Sequence, residues 1–369
     1  MKVTFVIYAL EGGGAERVMS TVANYCATHG CDTTLIVLGD SMRIPFYPLV
    51  PEIKLQQLGI IGDSPNVLTL LINGLQRIKI LRAAIIASKP EVVVSFLSIV
   101  NVLTILCCWN TKIPTIVSEH TYPGYTDVNK IWQLLMKWTY RYADRVTLLT
   151  QNALPFYPAS KGYRAMVMPN PVLAPASDNS IEPLIPKPSL IALGRLHPVK
   201  GFDLLIKAFA QVQSKYPDWH LTILGDGLMR AELEALRAQL GLIECIHLPG
   251  SVKNVDAHLR QADLFVMPSR VEGFPMALCE AMACGLPVLA ADCLSGPRDI
   301  IREGLDGILV PVEDVDALAA GLDRLMGDPI QRQQLAQAAP EILERFGLER
   351  VMEIWMDTFK QVIDRAHSS

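Results

Sequence analysis

The sequence predicts an α/β protein of two doubly wound, Rossmann-like domains that face each other across a cleft. Short apolar runs rich in β-branched residues alternate with amphipathic stretches through most of the chain. This alternation is typical of parallel sheets covered by helices on both faces. It stops at a segment rich in Pro and Ser, residues 171–188, and then starts again. A chain of 369 residues is also long enough for two domains of ordinary size.

The first domain is expected over residues 1–170 and begins with a strand. That strand has only about eight apolar residues before Glu11, which indicates a strand rather than a signal peptide. A glycine-rich turn, EGGGAER at residues 11–17, then leads into a helix from about Ala15. Glycines let the backbone approach a ligand closely, although an ordinary turn is the alternative. The strands of this domain are predicted at residues 3–10, 33–39, 92–96, 114–120, 145–150 and 164–170.

The segment from Val92 to Trp109 carries no charged residue over 18 positions. As one helix it would span about 27 Å, slightly less than a hydrocarbon core of about 30 Å. The β-branched VVVSF follows KPE directly, and Ser95, Asn101 and Thr104 would be poorly placed in lipid. We therefore expect a buried strand followed by a buried helix, with membrane insertion as the alternative.

The second domain is expected over residues 171–349, with the strand pattern starting again near residue 189. A last amphipathic helix, at about residues 350–369, places Val351, Trp355 and Phe359 on one face. That face needs a partner, and the first domain is the expected one. The strands of the second domain are predicted at residues 189–195, 220–226, 246–250, 264–269, 286–292 and 307–311.

The segment VEGFPMALCEAMACGLPVLA, residues 271–290, is the most informative part of the chain. Glu272 and Glu280 lie eight positions apart, and Pro275 stands between them where a helix would begin. A helix N-terminus offers unpaired N–H groups and a partial positive charge, so it suits a phosphate. Two acids around an anion site suggest a phosphate-bearing sugar or nucleotide as the ligand.

Three further motifs follow predicted strands, at the edge where open α/β sheets bind ligands. Arg195 and Lys200, in GRLHPVKG, would both reach one diphosphate, Arg as a planar fork and Lys as a point charge. His120 ends the strand that carries SEH, and GSVKNV at residues 250–255 would present backbone groups to a base edge. Each has an ordinary structural alternative: solvated cations, a structural histidine and a plain loop.

Composition excludes several classes of protein. A net charge of −4 argues against non-specific nucleic-acid binding, and no nucleic-acid module is visible. The cysteines form no C-x-x-C pair and no histidine cluster has ligand spacing, so no metal site is expected and the thiols should be reduced and mostly buried. This pattern indicates a cytoplasmic protein. The eight cysteines are Cys26, Cys31, Cys107, Cys108, Cys245, Cys279, Cys284 and Cys293.

Two stretches of the first domain combine cations with apolar residues. The predicted helix at residues 76–89 includes Arg77 and Arg82 among leucines and isoleucines, and residues 122–142 add aromatics and lysines. An ordinary surface helix is one interpretation. Peripheral contact with an anionic membrane is the other.

The ordered set of GGGAER, SEH, the Asn170-Pro171 turn, GRLHPVKG, E-x7-E, GLPVLA and the C-terminal tryptophan helix resembles family-4 retaining glycosyltransferases of the glycosyltransferase B fold. It covers nearly the whole chain and is most similar to bacterial N-acetylgalactosaminyltransferases that extend undecaprenyl-diphosphate-linked sugars. The helix at residues 76–89 is less basic than in those enzymes.

The resemblance implies roles for individual residues of both domains. Arg195 and Lys200 would hold the donor diphosphate, Glu280 the ribose hydroxyls, and Glu272 the transferred sugar. The backbone near Val252 would read uracil. The amide groups of Ala277 and Leu278 would bind phosphate oxygens. Gly14 would let the first domain close on the donor, and His120 would contact the sugar.

The implied activity is retaining, metal-independent transfer of a HexNAc or hexose from a UDP-sugar to a hydroxyl of a polyprenyl-diphosphate-linked, cell-surface oligosaccharide. Lipopolysaccharide and exopolysaccharide synthesis are the processes implied, at the cytoplasmic face of the inner membrane and without a cofactor. The alternatives are a GDP-sugar-dependent transferase of the same fold, a nucleotide-sugar epimerase, a glycogen-type phosphorylase and a non-catalytic sugar-binding protein.

Overall fold

The computed structural model describes residues 1–39, 44–60, 67–125, 128–175 and 185–368. The chain divides into two compact units, which we call unit 1, Met1–Pro171 with Glu349–Ser369, and unit 2, Val172–Leu348. The middle of the predicted linker, residues 176–184, lies outside the described residues.

Unit 1 is built on a parallel sheet with seven strands among the described residues, in the order β3-β2-β1-β4-β5-β6-β7. Because β1 neighbours both β2 and β4, the winding direction reverses between β1 and β4. The strands are β1 Lys2–Ile7, β2 Asp32–Val37, β3 Lys54–Gln57, β4 Val92–Phe96, β5 Thr115–Glu119, β6 Arg145–Leu148 and β7 Ala165–Val167. The helices between them are α1 Gly14–Thr28, α2 Val67–Ser88, α3 Ser98–Cys108 and α4 Lys130–Thr139.

Unit 2 repeats this arrangement with six strands in its described part, in the order β10-β9-β8-β11-β12-β13, and its direction reverses between β8 and β11. The strands are β8 Ser189–Leu193, β9 His220–Leu224, β10 Ile246–Gly250, β11 Leu264–Met267, β12 Val288–Ala291 and β13 Ile308–Val310. The helices are α5 Phe202–Gln213, α6 Arg230–Gln239, α7 Val255–Gln261, α8 Met276–Ala283, α9 Pro297–Ile300, α10 Val315–Gly327, α11 Pro329–Ala338 and α12 Ile342–Phe346.

The predicted doubly wound architecture is confirmed, and its physical basis is burial on both faces of each sheet. All five residues of β4 are buried, which explains why the central strands read as continuous apolar runs. The segment from Val92 to Trp109 forms β4 and then the mostly buried α3, as expected. Within the ranges described above, no helix is long and apolar enough to cross a membrane.

The last helix, α13 Leu348–His367, packs on unit 1. Its apolar stripe is buried, and the ring of Trp355 lies 6.1 Å from that of Phe96 at the end of β4. Near its start, the Tyr25 hydroxyl of α1 donates to Glu349 Oε2 at 2.6 Å. The helix therefore contributes to the unit that contains the beginning of the chain.

Candidate active site

The carboxyl ends of β8 and β11 lie side by side at the point in unit 2 where the winding direction reverses. In doubly wound sheets the loops after two such strands diverge and leave a crevice for a ligand. The loop after β8 carries Arg195 and Lys200, and the loop after β11 carries Glu272. The fold thus brings together residues that are more than 70 positions apart in sequence.

Lys200 and Glu272 form a direct ion pair in this crevice. Lys200 Nζ lies 2.7 Å from Glu272 Oε1, and the Ser269 hydroxyl donates to the same oxygen at 2.6 Å. Both side chains are mostly buried, with 27% and 10% of their surface exposed. An ammonium group has three N–H donors, so one bond to Glu272 leaves two for a ligand.

Arg195 lines a separate part of the same edge, a cavity of about 360 Å³ at the ends of β8, β9 and β10. Val252, predicted to lie beside a base, lines it too. The cavity combines a guanidinium and a carboxylate with apolar walls, so it suits a ligand that has a flat ring and polar edges. Its lining residues are Leu193, Gly194, Arg195, Leu224, Gly225, Asp226, Ser251, Val252 and Val255.

Two glycines allow the loops of this edge to touch. At Gly201, with φ of +68°, an added Cβ would fall on the carbonyl oxygen of Pro268. At Gly225, with φ of +136°, it would fall on the carbonyl oxygen of Gly194. Larger residues would separate the loops, so both positions require glycine for packing and for backbone conformation.

The N-terminus of α8 lies where the sequence predicts a helix to begin. The two amide groups expected to bind phosphate, those of Ala277 and Leu278, differ in their hydrogen bonding. Pro275 is the N-cap, and the Leu278 N–H already donates to its carbonyl at 3.1 Å. The amide of Ala277 precedes these bonds and is one of the donors that a helix leaves unpaired. Glu280 is the fifth residue of α8, just past the first turn, and is partly buried.

His120 follows β5 in unit 1. Its ring stacks on Phe96 with 4.6 Å between ring centres, and Nε2 lies 3.1 Å from the Ser118 hydroxyl. Burial lowers the pKa of His120 to about 3, so the imidazole is neutral near pH 7. A neutral imidazole can donate one hydrogen bond and accept another.

Glu119, the middle residue of SEH, is buried, and the sequence does not identify it as part of the site. Its carboxylate accepts hydrogen bonds from Asn101 Nδ2 at 2.9 Å, from the Ser98 hydroxyl at 2.9 Å and from the Tyr140 hydroxyl. Burial raises the pKa of Glu119, although these hydrogen bonds act in the opposite direction. The network fixes the end of β5 from which His120 projects.

Gly14 is the first residue of α1, and an added Cβ would meet no described protein atom within 4 Å. The neighbouring glycines are engaged with Glu16, whose Oε2 accepts from the Gly12 N–H at 2.6 Å and the Gly13 N–H at 3.0 Å. The glycine-rich turn is thus held by a carboxylate of its own helix, with Gly14 beside it.

Ser269 and Asp226 are further residues of the unit 2 edge that the sequence did not identify. Ser269 lies three positions before Glu272, and Asp226 ends the segment HLTILGD; only the fold shows that they face the crevice and the cavity. Across the described ranges, no three His, Cys, Asp or Glu side chains gather as a metal-binding group. All eight cysteines are free thiols, and seven of them are buried.

Two doubly wound units, with a crevice at the reversal point of unit 2, define a protein of the glycosyltransferase B fold. Solved structures agree. Sucrose-phosphate synthase from Thermosynechococcus elongatus matches with a TM-score of 0.84 and 18% identity, over 99% of this chain and 100% of that one. Anabaena HepE in complex with UDP matches with a TM-score of 0.79 and 19% identity, over 98% and 100% of the two chains.

Sequence comparison identifies the family. Residues 12–172 match the family described as Glycosyltransferase Family 4, and residues 179–342 match Glycosyl transferases group 1. A Campylobacter jejuni protein is 30% identical over 98% of this chain and 99% of its own length. Its name is GalNAc-α-(1→4)-GalNAc-α-(1→3)-diNAcBac-PP-undecaprenol α-1,4-N-acetyl-D-galactosaminyltransferase. The chain belongs to the family-4 glycosyltransferases and is itself a glycosyltransferase.

Proposed function

We propose that the protein transfers a sugar from a UDP-sugar to a hydroxyl of a polyprenyl-diphosphate-linked oligosaccharide, with retention of the anomeric configuration. The observation that carries this proposal is the Lys200–Glu272 pair at 2.7 Å, at the reversal point of unit 2, where the same sheet edge carries two groups that suit phosphate. One is Arg195 at the end of β8 and the other is the N-terminus of α8.

In the proposed reaction the bond between the anomeric carbon and the donor diphosphate breaks. Negative charge then grows on the leaving phosphate, and positive charge grows on the sugar ring. Arg195, Lys200 and the Ala277 amide would stabilise the leaving diphosphate more strongly in the transition state than in the ground state, which accelerates the step. The acceptor's hydroxyl oxygen would bond to the anomeric carbon on the face that the diphosphate leaves, and the departing phosphate would take the hydroxyl proton, so the configuration is retained.

These fixed cations take the part that a metal ion plays in other transferases. We therefore propose that transfer needs no metal. The transfer rate in excess EDTA should stay within about twofold of the rate without it. Removing one hydrogen-bond donor to the transition state lowers a rate far more than this. A large loss that Mg²⁺ or Mn²⁺ restores would contradict this.

The nucleoside is assigned to the cavity beside Arg195. The loop that contains Val252 would pair with the base edge through its backbone, and Glu280 would accept from the ribose hydroxyls. UDP in a solved structure of the same fold supports uracil. A GDP-sugar is the second candidate donor, since neither the volume of about 360 Å³ nor the lining residues favour one base over the other.

The acceptor is proposed from the relative at 30% identity, whose printed name includes a PP-undecaprenol saccharide. A lipid acceptor requires contact with a membrane, and α4 offers a suitable surface. The exposed residues between 130 and 142 form one helical face without a single acid. They are Lys130, Ile131, Leu134, Lys137, Trp138, Arg141 and Tyr142.

Cationic and apolar groups on one face are typical of helices that lie on anionic lipid. Ile131 and Leu134 are about as exposed as polar surface residues, at 70% and 69%. The other basic helix, α2, is less suitable, because Arg77 and Arg82 donate to the backbone carbonyls of Ile60 and Trp109 within unit 1. We propose peripheral contact with the anionic cytoplasmic face of the inner membrane through α4.

The donor and the acceptor are tested together. The purified chain is incubated with a panel of UDP- and GDP-sugars and a synthetic polyprenyl-diphosphate sugar, and products are identified by mass spectrometry and anomeric NMR. Transfer from a UDP-sugar with an unchanged anomeric configuration is expected. Turnover of GDP-sugars alone, or an inverted product, would contradict the proposal.

Membrane contact is tested by vesicle co-sedimentation. Binding is expected to vesicles containing phosphatidylglycerol and to be much weaker on phosphatidylcholine alone. Lys137→Glu should lower binding by at least about fivefold, since a cation near an anionic surface contributes about 1 kcal/mol. Lys360→Glu is the matched control, an exposed lysine of α13 with the same change of charge. Equal losses in the two variants would show that net charge, not α4, governs binding.

A further inference from the structure

The loop that carries Lys200 and the loop that carries Glu272 are joined by one further side chain, Arg270. Its guanidinium binds the Asp203 carboxylate with two parallel hydrogen bonds of 2.9 Å each, from NH1 to Oδ1 and from NH2 to Oδ2. NH1 also donates to the Pro198 carbonyl, and the Arg270 backbone N–H donates to the Val199 carbonyl at 2.8 Å. Arg270 therefore holds the residues on both sides of Lys200.

The Arg270 side chain also reaches a third loop of the same sheet edge. Its Nε donates at 2.9 Å to Glu313, which follows β13 and has a positive φ of +59°. The side chain is three-quarters buried, and its main partner Asp203 is more buried still, at 17% exposure. Although burial acts to raise the pKa of Asp203, the guanidinium holds that pKa below its usual range.

These contacts have a geometric consequence for the active site. Lys200 lies at the end of the short helical turn 198–200, and Asp203 lies in the first turn of α5. Arg270 binds both segments from a position two residues before Glu272. The separation of the Lys200 ammonium from the Glu272 carboxylate is thus set by a planar group that has few alternative arrangements.

We infer that Arg270 is a positioning residue for sugar transfer: by clamping Pro198 and Asp203 it sets where the Lys200 ammonium meets the leaving diphosphate. This rests on the proposed function of Lys200. A misplacement of about 1 Å at a reacting group can cost about 100-fold in rate. Arg270 acts through Lys200, which by the proposal binds the leaving diphosphate more strongly in the transition state than in the intact donor, so its loss should lower kcat more than it raises KM for the donor.

The test compares the wild-type protein with Arg270→Lys, Arg270→Gln and Asp203→Asn. The donor is the nucleotide sugar that the wild type turns over, and UDP binding is followed by calorimetry. We expect kcat to fall about 10- to 100-fold in each variant, while KM for the donor stays within about threefold. Arg270→Lys keeps the charge but loses the fork, so it should not restore kcat.

Arg302→Ala is the matched control. Arg302 also forms a buried pair, donating to Asp306 Oδ2 at 2.7 Å, but it precedes β13 and so lies at the opposite edge of the sheet. It should lower the melting temperature without changing kcat at a temperature where the protein is folded.

Two results would overturn the inference. One is full kcat in folded Arg270→Lys and Asp203→Asn; the other is a loss of kcat that merely follows the loss of melting temperature, as in the control. A wild type that neither binds UDP nor turns over any nucleotide sugar would instead overturn the proposed function and this assignment with it. Because Arg270→Lys and Asp203→Asn keep the size of the side chain, they give a result even if Arg270→Gln does not fold.

Discussion

Lys200 and Lys215 make the same chemical contact in different surroundings. Lys200 Nζ lies 2.7 Å from Glu272, and Lys215 Nζ lies 2.6 Å from Asp323. The Lys215 pair is exposed, at 63% and 40%, and such surface pairs contribute little to stability. The Lys200 pair is mostly buried at the ligand-binding edge of the sheet. The bond length alone does not distinguish a functional pair from a surface one; position does.

Lys200→Ala should therefore lower kcat/KM about 100- to 1000-fold, the usual effect of removing one donor to a developing anion. Lys215→Ala removes a lysine with an equally short bond and should leave kcat within about twofold and the melting temperature nearly unchanged, because an exposed pair is screened by solvent. Steady-state kinetics on both variants is the measurement. Similar losses in the two would argue that Lys200 acts only through stability.

His120 provides a prediction that depends on pH. Its pKa is lowered to about 3 in the folded protein, whereas in the unfolded chain it titrates near its ordinary value of 6.5. Between these values the unfolded state binds the proton and the folded state does not, so this histidine lowers stability as pH falls below 6.5. Above that pH both states are neutral and the contribution disappears.

His120→Phe removes this pH-dependent contribution to the free energy of unfolding. The free energy of unfolding of the wild type minus that of the variant should decrease by up to about 1.4 kcal/mol per pH unit as pH falls from 6.5. Urea unfolding at pH 7 and pH 5 measures it, and taking the difference cancels other titrating groups, Glu119 among them. A difference that does not change with pH would mean that His120 has the same pKa in the folded protein as in the unfolded chain.

Secondary-structure elements show what the sequence could and could not reveal. Burial on both faces makes the central strands recognisable, and β4 was predicted with the correct ends. The edge strand β3 was missed, because Lys54–Gln57 has no buried side and no apolar run. The site residues also fall into a group that the sequence reveals and a group that it does not. Arg195, Lys200 and Glu272 follow apolar strands, whereas Arg270 and Asp203 meet only because β8 and β11 are neighbours.

The start of α1 gives a prediction for one element. Glu16 accepts from the amides of Gly12 and Gly13, a capping arrangement that satisfies groups the helix would otherwise leave unpaired. Glu16→Ala should lower the free energy of unfolding by about 1 kcal/mol. Glu16→Gln keeps an acceptor oxygen and should lose less. The free energy of unfolding of both variants is measured by denaturant unfolding. Equal stability of Glu16→Ala and the wild type would show that the Glu16 hydrogen bonds do not stabilise the turn.

At the scale of the whole molecule, the last helix belongs to the unit that holds the beginning of the chain. Unit 1 and unit 2 each have a tryptophan in their interior: Trp355 of α13, 1% exposed, and Trp219 before β9, 6% exposed. The chain passes from unit 1 to unit 2 and back again. Loss of α13 packing should thus be felt near the N-terminus, far away in sequence.

Trp355→Ala should cost about 3–5 kcal/mol in unit 1, because it removes a fully buried indole and leaves a cavity beside Phe96. Amide hydrogen exchange is the measurement: β1 and β4 should lose protection, while β8 and β9 keep it. Trp219→Ala, the matched variant in unit 2, should give the reverse pattern. Each tryptophan then reports on its own core. If Trp355→Ala lowered protection equally in both sheets, the two units would unfold as one cooperative block, and the core of each would depend on that of the other.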